Sequence, residues 1–125
     1  MATTVLIIED EQEIANLIRD RLEDEGYSTE VAYTGADAIR ELGEKKPDIV
    51  TLDVYLPDIN GLNILKDLKS NPKTDQIPVI IVSSSDEEKN ARELGAQDYV
   101  KKPINFAKLF GVLQEIKQRT GKAAK

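Results

Sequence analysis

The run Ile49-Val50-Thr51-Leu52-Asp53-Val54-Tyr55-Leu56-Pro57-Asp58-Ile59-Asn60-Gly61 decides the fold. Its first four residues are a short apolar and β-branched stretch, the pattern of a strand buried on both faces. Asp53 ends that stretch, and the turn formers Asp58, Asn60 and Gly61 mark a loop. Beyond it, Leu62, Leu65 and Leu68 recur every three residues and give a helix one apolar face. The segment is one strand-loop-helix unit.

The same alternation extends in both directions. Strand runs occur at Val5 to Ile8 and Pro78 to Val82, with weaker ones at Thr29 to Ala32 and Asp98 to Lys101. Helical spacing recurs in Ile14, Leu17, Ile18 and Leu22, and again in Phe106, Leu109, Phe110, Leu113 and Ile116. Thr34 with Asp37 and Ser85 with Glu88 have capping-box spacing, and Asn105 suits the N-cap of the last helix. Gly26, Gly43 and Gly95 fall where helices should stop. Short buried strands alternating five times with amphipathic helices predict an α/β, doubly wound (βα)5 fold, a parallel sheet covered on both faces. A length of 125 residues suits one domain, 1–125, and residues 120–125 are expected to be a flexible tail, either a frayed end or a cut linker.

Composition narrows the chemistry. Hydrophobic residues at 40% and charged ones at 32% describe an ordinary soluble domain. Seventeen basic against twenty-three acidic residues give a net charge of -6, a poor match for a nucleic-acid backbone. With no cysteine and no histidine, disulfides, thiolate catalysis and zinc-thiolate sites are excluded, and any metal is expected to be a hard cation on oxygen ligands. No apolar run approaches the roughly 20 residues of a membrane span, and Met1 to Thr4 lead into a strand without a signal-peptide core. A cytoplasmic protein without membrane contact is expected.

Four strands end in polar residues that an apolar run does not need: Glu9 and Asp10, Asp53, Ser83, and Lys102. Parallel strands bring their carboxyl ends to one edge, where open α/β sheets place ligands beside the switch in strand order. Each residue alone has a plain reading. Glu9 to Glu11 suit a solvated helix start, Asp53 a turn, Lys102 an exposed surface, and Ser83 to Ser85 a loop and cap. Their coincidence at one edge favours a site. Three neighbouring carboxylates require raised pKa values or a bound cation, and magnesium, held directly by Asp10 and Asp53, is the simplest answer. An ionised carboxylate can then attack phosphorus, with the metal, Lys102 and the Ser83 hydroxyl neutralising the charge on the transferred oxygens.

These residues resemble the receiver domains of bacterial response regulators, over essentially the whole chain. The resemblance rests on Glu9-Asp10, the segment Asp53 to Gly61, Ser83, and Tyr99 followed by Lys102-Pro103. It implies a flavodoxin-like three-layer sandwich with sheet order 2-1-3-4-5. It makes Asp53 the phosphoacceptor, with Asp10 a direct magnesium ligand, Glu9 a ligand through water and Tyr55 a ligand through its main-chain carbonyl. Ser83 and Lys102 would hold the phosphoryl oxygens, Tyr99 would be the aromatic that turns inward on activation, and the Lys102-Pro103 peptide would be cis. The implied donor is a sensor histidine kinase or a phosphotransfer protein and the implied target a downstream protein. The domain is then a switch and not an enzyme, apart from catalysing its own phosphorylation and dephosphorylation.

Three departures stand out. Glu9 replaces the family's frequent Asp, Ser83 its frequent Thr, and the stretch from Ser83 to Lys102 is short by roughly one helical turn. The fourth helix should therefore be trimmed, and a monomer is expected rather than a dimer through the fourth helix and fifth strand. Tyr55 and Ser85 would flank the attacking water, with bulky Tyr55 slowing hydrolysis. A flavin binder would want hydroxyls and free N–H groups where Glu9, Asp10 and Glu11 stand. A haloacid-dehalogenase-type phosphatase would need an acid where Tyr55 stands, and no P-loop pattern is present. The remaining alternative is a degenerate receiver that binds partners without phosphorylation.

Overall fold

The computed structural model describes residues 2–120. Strands β1 (Thr4–Ile8), β2 (Ser28–Ala32), β3 (Ile49–Leu52), β4 (Val79–Ser83) and β5 (Asp98–Lys101) alternate with helices α1 (Gln12–Asp24), α2 (Gly35–Glu44), α3 (Gly61–Ser70), α4 (Glu88–Glu93) and α5 (Phe106–Thr120). The sheet is parallel throughout, in the order β2-β1-β3-β4-β5. This is the expected doubly wound three-layer sandwich.

Alternation along the strands divides the core into two halves. Leu6, Ile8, Val50, Leu52, Val79, Ile81 and Tyr99 pack toward α2, α3 and α4. Val5, Ile7, Ile49, Ile80, Val82 and Val100 pack with residues of α1 and α5 such as Ile18, Leu22, Leu109 and Leu113. Each fully buried Leu or Ile contributes about 1.5–3 kcal/mol relative to an exposed one. β3 and β4 are buried at every position, whereas the edge strand β2 alternates between exposed and covered residues. Partial exposure explains why β2 is the weaker pattern in the sequence.

Most helix-end signals act as expected. Thr34 accepts from the Asp37 N–H at 3.1 Å, and Asn105 accepts from the Lys108 N–H at 3.1 Å. Gly26 and Gly95, with φ of 93° and 104°, end α1 and α4 in a left-handed conformation that other residues rarely adopt. Gly43 does not stop its helix. It lies inside α2, which ends one residue later as the chain turns extended at Lys45. Ser85 caps nothing: α4 begins at Glu88 with Glu87 as N-cap and no side-chain capping bond, because Ser85 lies outside its first turn. β4 starts at Val79 and not at Pro78, whose carbonyl accepts from Val50 and which has no N–H to offer a ladder. Thr120 closes α5, and the rest of the expected tail, 121–125, lies outside the described residues. Among the described residues, no helix is long and apolar enough to cross a membrane.

Candidate functional site

The sheet order reverses between β1 and β3, and these two strands deliver the first acidic groups. Their ladder runs Ile7↔Thr51 and Ile8↔Leu52, so Glu9 and Asp53 are the next residues to leave it side by side. Strand alternation sends Glu9 along the row of Val5 and Ile7, and Asp53 along that of Ile49 and Thr51. Lys102 follows Val100 on the same face at the end of β5. Carboxylate oxygens of Glu9, Asp10 and Asp53 lie within 4.8 Å of one another.

Lys102 closes this cluster. Its Nζ donates to Asp53 Oδ2 at 2.8 Å and forms ion pairs with Glu9 Oε1 at 2.7 Å and Glu11 Oε1 at 3.7 Å. The other Asp53 oxygen, Oδ1, accepts from the Tyr55 N–H at 3.1 Å. Both oxygens of a carboxylate only 3% exposed are thus oriented by the protein. Glu9, 1% exposed, accepts at Oε2 from the Glu11 N–H at 3.2 Å.

Burial and neighbouring charges act together on the ionisable groups of the cluster. Burial pushes the Glu9 carboxyl from 4.5 up to about 7, the Asp53 charge adds to the rise, and the Lys102 ammonium opposes it. Burial alone would lower Lys102, but the hydrogen bond to Asp53 and the proximity of Glu9 outweigh it and hold the ammonium above its ordinary value. Lys102 is therefore an ammonium at neutral pH. Oxygen donors only and three clustered carboxylates, one of them raised in pKa chiefly by its burial, fit a hard divalent ion such as magnesium.

Ser83 stands apart from these contacts. It continues the row of Val79 and Ile81, on the other side of the sheet, is fully buried, and accepts from the Ser85 N–H at 3.3 Å. Tyr99, 2% exposed, points inward from the same side. Its hydroxyl donates to the Ser85 carbonyl and in turn accepts from Ser85 Oγ at 2.6 Å. The Lys102-Pro103 peptide is cis, as expected.

The sequence profile of the response regulator receiver domain matches residues 5–114. The chain belongs to that family. It is similar to the signal receiver domain of a DNA-binding response regulator from Colwellia psychrerythraea, at 32% identity over 92% of this chain and 98% of that one, with a TM-score of 0.87. A CheY-like receiver domain from Methylobacillus flagellatus is 32% identical over 93% of this chain and 99% of that one, TM-score 0.84. The receiver domain of the Francisella response regulator 1452 is 29% identical over 94% and 98%, TM-score 0.86.

In this receiver, Glu9, Asp10, Asp53 and Lys102 meet as the strand ends foretell, and Tyr55 reaches Asp53 through its main-chain N–H, not through the carbonyl expected to serve a metal. Of the two positions expected beside the attacking water, only Tyr55, 59% exposed, stands in solvent; Ser85 is buried and engaged with Tyr99. Two contributions escape a reading of the sequence. Glu11 reaches Lys102 from the turn into α1, and Ser85 anchors Tyr99. For Ser85 the one signal is its spacing, two residues beyond Ser83.

Proposed function

We propose that this receiver accepts a phosphoryl group on Asp53 from a phosphohistidine on a sensor kinase or phosphotransfer protein, and that the modified form changes its binding to a downstream protein. The observation carrying the proposal is the Asp53 carboxylate, nearly withdrawn from water, oriented at Oδ1 by the Tyr55 N–H and at Oδ2 by Lys102 beside two further acids.

The chemistry needs a positioned nucleophile and neutralised charge. An Asp53 oxygen attacks phosphorus, the O–P bond forms as the N–P bond to the donor imidazole breaks, and the imidazole keeps the electron pair and takes a proton. Lys102 follows the phosphoryl oxygens as a permanent cation. Ser83, at the end of the adjacent strand, donates its hydroxyl to the same group. Asp10 and Asp53 directly, Glu9 through water and Tyr55 through its carbonyl would hold magnesium, which supplies the charge neutralisation that one ammonium cannot. Hydrolysis reverses the modification when water attacks phosphorus and releases inorganic phosphate, with exposed Tyr55 shielding its approach.

On this reading residues 1–125 act as one cytoplasmic unit that works as a monomer, because α4, at six residues, offers a reduced face to a second copy. The test is intact-mass analysis after incubation with magnesium and a small acyl phosphate. The unaltered chain gains one phosphoryl group, Asp53→Asn gains none, and a chelator abolishes the gain. An unmodified wild-type chain under these conditions would return the protein to the class of phosphorylation-independent binding modules.

A further inference from the structure

The loop 53–60 is fastened to a helix that takes no part in the site. Asp58 Oδ1 accepts from the Gly35 N–H at 2.8 Å and Oδ2 from the Ala36 N–H at 2.9 Å. These are the first two amides of α2, and Thr34 Oγ1 serves the third, Asp37. A helix start leaves such amides without intrahelical partners and carries partial positive charge, so a bidentate carboxylate from another segment is held by both effects. The hydrogen bond from Gly35, followed by that from Ala36, lowers the Asp58 carboxyl below its ordinary range.

The contact is also shaped by packing. A Cβ on Gly35 would stand 1.9 Å from Ile59 Cγ2, so only glycine lets the loop come this close to α2. On its other side the loop is closed by the bridge Tyr55↔Asn60, by Gly61 donating to the Val54 carbonyl at 2.7 Å, and by Asn60 capping α3. Three residues before Asp58 lies Tyr55, whose N–H orients Asp53 Oδ1.

We infer that Asp58 is a positioning residue: by clasping the amino end of α2 it fixes the loop that presents the Tyr55 peptide to Asp53 and to the metal. The inference rests on the reading of Asp53, Asp10 and Tyr55 given above. Asp58 touches neither the phosphoryl group nor the ion, and acts through the backbone of residues 55–58.

Three variants separate positioning from simple helix stabilisation. Asp58→Ala removes the clasp, Asp58→Asn keeps one acceptor oxygen, and Thr34→Ala removes a cap from the same helix end without touching the loop. Asp58→Ala should weaken magnesium binding about tenfold, as loss of an outer-shell support does, with Asp58→Asn intermediate. In the metal-free protein, hydrogen exchange at the Tyr55 amide should quicken about tenfold in Asp58→Ala. Thr34→Ala should lower the thermal midpoint while leaving both readouts within about twofold of wild type. The inference is overturned if Asp58→Ala leaves the Tyr55 amide unchanged, or if Thr34→Ala moves it equally. Should the wild-type chain fail to bind magnesium, the metal assignment falls, and the metal-free exchange comparison still decides the clasp.

Discussion

The loops after β3 and β4 leave adjacent strands at the same edge of the sheet, yet they are built differently. The first, 53–60, is fastened at every turn: to α2 by Asp58, to α3 by Asn60, to itself by Tyr55↔Asn60, and to the site by Tyr55 and Lys102. The second, 84–87, leads into a helix of six residues with no side-chain N-cap; a hydroxyl takes part in each of the buried bonds that join Ser83, Ser85 and Tyr99, and Asp86 pairs with Lys101 at the surface. Backbone clasps hold one geometry, whereas hydroxyls rotate and exchange partners at little cost. One loop is a frame for Asp53. On the proposed function, the other is the segment whose contacts a phosphoryl group on Asp53 would rearrange, in a population shift.

The sharpest way to break this division is at Lys102, the cation shared by the frame. Lys102→Met should slow phosphoryl acceptance from an acyl phosphate about 10²-fold or more, as loss of an oriented charge-stabilising donor does. Single-turnover mass kinetics would measure it, and a loss below about tenfold would place the needed charge elsewhere.

Next in size is the backbone of the frame itself. A Cβ at Gly61 would lie 2.1 Å from the Asp53 carbonyl oxygen and 2.9 Å from Val54 Cα, both main-chain atoms with nowhere to yield. Gly61→Ala should cost about 3 kcal/mol in urea unfolding, and an equal alanine effect at Gly43, where a Cβ meets nothing, would refute that account.

The loop after β4 should show smaller effects, coupled through one pair. Ser85→Ala and Tyr99→Phe should each cost about 1 kcal/mol, and the double mutant should recover about half of the sum, because the two hydroxyls satisfy each other. Full additivity would mean that the pair is not formed in solution.

The smallest effect concerns pH. Asp58 has its folded pKa depressed by the amides of Gly35 and Ala36, so its contribution is present above the ordinary carboxylate value of 3.8 and is lost as pH falls through the folded one. The stability difference between wild type and Asp58→Asn should therefore shrink on acidification through that window. A constant difference would show that the carboxylate charge plays no part in the clasp.

Much of the site was legible because strand ends are. A parallel sheet turns residues distant in the chain, such as Glu9, Asp53 and Lys102, into neighbours, and their polarity at the close of apolar runs exposes them. Asp58 was legible only as a turn former, since its partners lie 23 and 22 residues away and are backbone amides, which have no letter in a sequence. Ser85 was misread as a cap because capping-box spacing is local, while the shortened α4 starts too late to use it.

By itself, the sequence determined the βα alternation, the single acidic edge and the oxygen-only chemistry, because apolar periodicity and residue type are local properties. Tertiary structure alone decided which oxygen of Asp53 faces which donor, that Tyr99 lies inward on Ser85, and that α2 holds the loop after β3. Those are contacts between segments far apart in the chain, set by how the layers pack.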